Sequence, residues 1–467
     1  MLGALIFLPL LAAAAIYFMR DRQGLWFGFV AALADLVLAV VVAGGNVVST
    51  ASWPWMPSLG IAFDLHVSAS SLFLLLLTPL LTCCALVSLS TQRLEREAEL
   101  SGHMLLMLAC LQGLFLSNNL GLFYFFFEAM LLPAVLLTAR WGGENGRRAA
   151  TKFFLYTFLG SLPMLLGILM IASESGPGAP DLSFKSIGAL PVPAQLVLFW
   201  WFFLAFAVKV PIFPLHGWLS DLYGSAPAPV VAVIAGAMSK AGLFGFFRVM
   251  LKLFPDAATT YAPFISVLAL VSLIYGAVCA LGASRLREIL AYSSLSHLAM
   301  IVLGVFSLNR LGTDGAILQM LAHGITTGGL FLCLATLETR GLPAQLSELG
   351  GLAASLPTLS AFIQAFTLAS LGLPGLCSFP GELSILTGVY LAWHRFALVA
   401  LLAVILAAWY LLRFFQGAMQ GPPNLDLPLR GLSSREIASL VPLLILLFWI
   451  GFFPGFWMTL ARTFAWS

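Results

Sequence analysis

Apolar runs of roughly 20 residues, the length a helix needs to cross the hydrocarbon core of a bilayer, recur along the whole chain with short polar clusters between them. Read in windows of about 19 residues, the pattern predicts about fourteen spanning helices. They start near Met1, Leu25, Ser70, Met104, Leu120, Ala149, Pro193, Pro227, Ala262, Leu286, Asp314, Leu356, Phe396 and Ile437. No stretch is long and polar enough for a water-soluble module. The first run, "MLGALIFLPLLAAAAIYFM", has no basic residue before it and "RDR" after it. That charge order is wrong for a cleavable signal and predicts a first span instead.

Composition sharpens this to an all-α integral membrane protein: 61% of the 467 residues are hydrophobic and only 9% charged, where soluble domains carry roughly a quarter. Lys and Arg collect in cytoplasmic loops, so their placement orients the chain. Connections after odd-numbered spans hold 14 of the 22 Lys and Arg, the opposite side 6, and the other two, Lys209 and Lys240, lie inside spans. The expectation is an even number of spans with both termini on the non-cytoplasmic side. The six cysteines lie in or beside apolar runs without C-x-x-C spacing, so they read as small buried hydrophobes. There is no dinucleotide fingerprint, phosphate loop or haem-attachment motif, and no basic stripe for nucleic acid with a net charge of only +3. The chain is expected to bind no metal and no cofactor of its own.

Two segments interrupt the apolar pattern in the same way. "KVPIFPLHGWL" near the seventh span and "GLPGLCSFPGEL" near the twelfth each put two prolines and nearby glycines inside a run. Proline removes a backbone donor and clashes with the preceding turn, so both spans should be broken, which membrane depth tolerates only around protein or a water-filled cavity. The breaks lie five spans apart. A repeat with an odd number of spans must insert its second copy upside down, and matched broken helices point to an inverted-repeat transporter.

Against this map the ionisable residues inside spans stand out: Asp35, Glu128, Lys209, Lys240, His297, His323 and Glu382. A charge at a helix centre costs roughly 2.5 to 3.5 kcal/mol on insertion scales, so each needs a partner, water or a task. Glu128, with five aromatics close before it, and Lys209, beside the first break, form a candidate pair whose separation and reunion would release and recapture a proton. The alternative is a static ion pair that fixes packing. Small residues around Lys240 ("AGAMSKAGLFGFF") leave room for water, suiting a relay. His297 and His323 sit among hydroxyls and glycines and fit a relay or plain hydrogen bonding equally. Glu382 follows the second break, as a terminal carboxylate for proton release or a helix N-terminal carboxylate stabilised by the dipole. Asp35, in a peripheral span, reads as structural and facing a neighbour. His216 and Trp218 read as break-stabilising groups or cavity lining. Together these residues describe a proton or cation path across the bilayer midplane.

The stretches "FYFFFEAMLLPAVLLTARWGGENGRRAATKFFLYT", "FAVKVPIFPLHGWLSDLYGSAPAP", "AGAMSKAGLFGFFRVMLKLFPDA", "ILAYSSLSHLAMIVLGVF" and "GAILQMLAHGITTGGLFLC" closely resemble the antiporter-like subunits of respiratory complex I, NADH-quinone oxidoreductase, over about Met104 to Gln420. The resemblance implies fourteen helices with two inverted five-helix repeats. It divides the chain into an N-terminal three-helix segment (1–103), a first repeat (104–258), a second repeat (259–420) and a C-terminal helix (421–467). It implies that Glu128 and Lys209 form a modulated pair and that Lys240 is the central relay. "PGEL", with Glu382 where sister chains carry lysine, matches the M-type chains. It also implies a proton-translocating subunit that touches no electron itself, with NADH, FMN, iron-sulfur clusters and quinone handled by partner subunits. Expected partners are other membrane subunits, sister antiporter-like chains among them, and the lipid of the cell inner membrane. Rival readings are a subunit of a multisubunit cation/proton antiporter or membrane-bound hydrogenase complex, and a structural spacer. Three departures from the family pattern stand out: Ser220 replaces a frequent proline, Asn119 replaces a common acid, and Arg285, Leu286, Arg287 and Glu288 exchange the end charges of a D-x-K-R pattern. Those end charges are still spaced to pair on one helix face.

Overall fold

The computed structural model describes residues 1–44, 50–92, 94–173, 180–187, 190–422 and 430–465; Arg93, one of the basic residues counted above, lies outside them. The chain is a multi-pass helical membrane protein. Among the described residues twelve helices are long and apolar enough to span a bilayer. The remaining two expected spans are shorter pieces: Leu2–Ile16, and the pair Pro357–Ser370 and Ser378–Ala392 on either side of the second proline segment.

Burial sorts these helices into an inner set and a rim. Arg310–Glu338, Leu286–Phe306 and Ala228–Leu253 are buried almost from end to end, whereas Asp21–Ala43, His394–Met419 and Ser434–Phe452 turn most of their surface outward. In lipid this outward surface is apolar: Val37, Leu398, Ile405, Trp409 and Ile445 are all more than half exposed. Apolar residues on all sides of a helix suit a bundle solvated by hydrocarbon. The ionisable residues point into the bundle whichever helix carries them, Asp35, Lys209, Lys240, His323 and Glu382 all being buried, so their charges are kept away from lipid.

Both proline segments break their helices. Val192–Lys209 ends at Lys209, and the chain resumes helix at Leu219–Ser225. Pro357–Ser370 stops before Leu371, and helix returns at Ser378. The first break is held together by named bonds. The Trp218 indole donates to the Val208 carbonyl at 2.9 Å, and the backbone N–H of Phe213 donates to the Ser272 hydroxyl at 2.8 Å. Both partners satisfy backbone groups that the missing turn leaves open. Trp218, buried at 1% exposure, is therefore a break-stabilising group, while His216 stacks on Phe213 and meets Tyr275 edge-on.

Three features depart from the expectations above. An antiparallel hairpin, Thr50–Met56 with Ile61–His66, lies between the second and third helices; its strands are too short and mixed for a hydropathy window to detect. Asp35 does not face outward: it is fully buried and its Oδ2 accepts from Gln112 Nε2 at 2.8 Å, so an inward partner holds one of its oxygens while Oδ1 has none. The end charges Arg285 and Glu288 form no ion pair within 4.0 Å among the described residues; between them Arg287 instead forms a two-bond bridge to Glu338 at 2.6 and 2.7 Å. That geometry matches the planar fork of a guanidinium better than an i,i+3 pair does.

Candidate functional site

The bundle brings six of the seven ionisable residues singled out in the sequence, all but Asp35, into two groups. The first holds Glu128 and Lys209. Lys209 is the last residue of its helix, 1% exposed, and its Nζ has no hydrogen-bond partner. It lies 5.2 Å from the centre of the Phe127 ring and 5.4 Å from that of Phe153. A cation in such a place is held by ring quadrupoles rather than by a bonded anion. Glu128 is close enough to feel the Lys209 charge, with Ser161 beside it, yet its Oε1 has no partner either. No Glu128–Lys209 ion pair within 4.0 Å occurs among the described residues. The two charges share a compartment without being bonded.

The second group is a row of four side chains. Lys240, fully buried, stands just after a π-helical turn, Ile234–Met238. Such turns shift the backbone ladder by one residue and gather at functional sites. Here the Ser239 N–H reaches back to the Ile234 carbonyl at 2.9 Å, leaving the Ala235 carbonyl free for side chains. Lys240 Nζ donates to it at 2.7 Å, lies 3.2 Å from the Ser239 hydroxyl and 2.8 Å from His323 Nδ1. Those contacts use all three donors of an ammonium. With His323 accepting at Nδ1, its Nε2 carries the hydrogen and donates to the Thr327 hydroxyl, 3.2 Å away.

The Lys240–His323 bond depends on close helix packing. A Cβ on Gly236 would lie 3.2 Å from the Gly324 carbonyl, and one on Gly324 would lie 2.7 Å from the Gly236 carbonyl. Small residues let membrane helices approach backbone to backbone. The glycines and alanines around Lys240 thus bring a partner helix within bonding distance, which differs from the water-filled room their size suggests in sequence.

From His323 the row continues to His297 and Glu382. The His323 ring centre is 5.9 Å from that of His297, and His297 Nδ1 lies 3.5 Å from Glu382 Oε1. Gln319, one turn before His323 on the same helix, donates to that carboxylate oxygen at 3.1 Å. Beside Glu382 and His297, between Ser296 and Ser370, is a cavity of about 10 Å³, room for roughly one water molecule. Lys240, His323, His297 and Glu382 thus form a polar row through an apolar bundle, with one step, from His323 to His297, that no hydrogen bond closes, since His297 Nε2 has no partner. No hydrogen bond joins Lys209 to Lys240, although a Cβ on Gly242 would meet the Lys209 Cβ at 3.1 Å, so their helices pack tightly there.

The sequence alone misses Gln319, Thr327, Ser239, Phe127 and Phe153. Two of the three polar ones lie one turn from a conspicuous residue, at i−4 and i+4 from His323, and that spacing is the available signal. Among the described residues no three His, Cys, Asp or Glu side chains gather in a metal-binding cluster.

Residues 117–407 match the family model described as NADH:quinone oxidoreductase/Mrp antiporter, TM. A Rickettsia prowazekii protein named NADH-quinone oxidoreductase subunit M is 35% identical over 465 residues, covering 96% of this chain and 94% of that protein. A Synechococcus protein named NAD(P)H-quinone oxidoreductase chain 4 1 is 34% identical, covering 97% of this chain and 90% of its own. Among solved structures, a chain of respiratory complex I from Thermus thermophilus with bound NADH superposes with a TM-score of 0.91 at 32% identity, covering 100% of this chain and 99% of that one. A chain of the Mrp complex from Dietzia gives 0.90 at 23% identity over 99% of this chain and 96% of that one, a likeness of fold alone.

Proposed function

The chain belongs to the NADH:quinone oxidoreductase/Mrp antiporter membrane family, and from that premise we propose that it moves protons along Glu128, Lys209, Lys240, His323, His297 and Glu382. It is an antiporter-like membrane subunit. In this reading it serves as chain M of an NADH-quinone oxidoreductase, in the inner membrane with both termini on the non-cytoplasmic side. Its neighbours are sister antiporter-like chains, and NADH, FMN, iron-sulfur clusters and quinone belong to other subunits. The two broken helices belong to inverted repeats, 104–258 and 259–420. The observation that carries the proposal is the 2.8 Å bond between Lys240 Nζ and His323 Nδ1. It joins two fully enclosed titratable groups that, in a purely structural helix bundle, cost free energy without return.

The two groups divide the work. Lys209 holds its charge among rings beside a helix break, so a change in its distance to Glu128 alters how firmly it keeps a proton. Lys240 and His323 hand a proton between nitrogen atoms already in hydrogen-bond contact, as general acid–base transfer requires. His297 and Glu382 receive it. Redox energy released in the partner subunits drives the alternation. The test is Lys209→Ala in an assembled complex. Proton pumping and NADH-driven quinone reduction should both collapse in membrane vesicles while artificial acceptors still oxidise NADH. Survival of both would make this chain a spacer.

A further inference from the structure

We propose that Arg248 is a fixed charge barrier that keeps protons on Lys240 from leaving toward the hairpin side of the bilayer, so that they pass sideways to His323. The inference rests on the proton-path reading and adds to it the reason that path does not leak.

Arg248 lies eight residues beyond Lys240 in the same helical run, in a second π-helical turn, Phe246–Met250. Three separate connections converge on it. Its Nη2 donates to Asn118 Oδ1 at 2.5 Å, in the short link before the Glu128 helix. The Asn118 side-chain nitrogen donates to Asp64 Oδ2 at 2.6 Å, and its backbone N–H to the Asp64 carbonyl at 2.8 Å. Asp64 belongs to the hairpin. The guanidinium lies 5.4 Å from the centre of the Phe184 ring, and the Phe184 N–H donates to the Asn118 carbonyl at 3.0 Å. These connections follow the second, fourth and sixth helices, so they lie on one side of the membrane.

The arrangement fixes the sign of the charge as well as its place. Asn118 commits its side-chain nitrogen to Asp64, so its oxygen is the atom left to face Arg248. Asp64 therefore acts as a positioning residue through Asn118. A guanidinium does not give up its proton in proteins, and an arginine fixed in place raises an electrostatic barrier to protons and cations. Eight residues at about 1.5 Å each put Arg248 roughly 12 Å from Lys240. At an effective dielectric of about 20, a lone unit charge at that distance changes the local proton occupancy at most about tenfold, and the Asp64 carboxylate in the same cluster offsets part of that.

The experiment uses the assembled complex in vesicles and reads passive proton leak without NADH, followed by pumping with NADH. Arg248→Gln should raise the passive leak severalfold, up to about tenfold, and adding Lys240→Ala should abolish the extra leak. Arg248→Lys keeps the charge and should stay tight. Should Arg248→Gln fail to assemble, Asn118→Leu frees the guanidinium from its anchor and should leak to a smaller degree. A tight Arg248→Gln, or a leak that survives Lys240→Ala, overturns the barrier. Lys240→Ala alone separates the two claims: if it abolishes pumping while Arg248→Gln is tight, only the barrier is wrong. If Lys240→Ala pumps normally, the path falls and the barrier with it.

Discussion

The two helix breaks place opposite chemistry at similar sites. At the first, Lys209 ends a helix and its ammonium faces the Phe127 and Phe153 rings with no bonded partner. At the second, Glu382 follows the break and is held by Gln319 at 3.1 Å and His297 at 3.5 Å, next to space for one water. One break makes a dry place for a cation, the other a polar place for an anion. A proton moving from the first to the second passes from a group whose charge is supported by rings and an unbonded carboxylate to one whose charge is supported by a hydrogen bond and a nearby imidazole. Lys240 and His323 stand between them as the bonded middle.

The largest expected effect comes from removing that middle. Lys240→Met keeps the volume but deletes the donor to His323, and pumping should fall by roughly a hundredfold or more, the scale of one lost proton-transfer group. Protons moved per NADH oxidised are the measurement, with assembly checked on native gels. Pumping within a factor of two of the parent would mean that the two breaks communicate by another route.

Gly372→Ala sharpens the second break. Gly372 has φ +69°, and an added Cβ would collide with Glu382 Oε2. A left-handed conformation costs a non-glycine residue roughly 1 to 2 kcal/mol, and the carboxylate must also move off Gln319 or His297. The expected result is a lower thermal midpoint together with reduced pumping. Loss of stability without loss of pumping would show that the position of Glu382 is not critical.

At the first break, Trp218→Phe removes the bond to the Val208 carbonyl. A lost hydrogen bond that leaves a buried acceptor open costs about 1 to 3 kcal/mol. The segment from Val210 to Trp218 should loosen, seen as faster amide exchange at Ile212 and Leu215, with pumping reduced less than by Lys240→Met. If exchange there does not change, other bonds hold the break.

How much of this is visible in the sequence follows from the same physics. Prolines and charges in an apolar run are conspicuous because lipid penalises both, so the breaks, Glu128, Lys209, Lys240, His297, His323 and Glu382 all announce themselves. Their partners do not. Gln319 and Thr327 cost little in a buried helix, and Phe127 and Phe153 look like ordinary lipid-phase residues until Lys209 is seen between them. Gly236 and Gly324 are legible as small residues, but that they bring two helices together depends on a crossing far apart in the chain. The Thr50–His66 hairpin escaped because its residues alternate over too few positions to fill a spanning window.

The smallest predicted effect tests the ring cradle itself. Replacing Phe153 by Leu keeps an apolar side chain but removes one of the two rings near Lys209, a loss of about 0.5 to 2 kcal/mol in support of the charged amine. Pumping should fall by less than about thirtyfold on that scale, and Phe127→Leu should act similarly, since its ring stands at nearly the same distance. Both together should fall further than either alone. The comparison between the breaks depends on that result: a dry cation site held by rings must weaken when the rings go, while substitutions at Gln319 leave it untouched. If both single variants pump at the parental rate, Lys209 is supported by Glu128 after all. The first break is then an ion pair of the same kind as the His297–Glu382 contact, and the asymmetry between the two halves disappears.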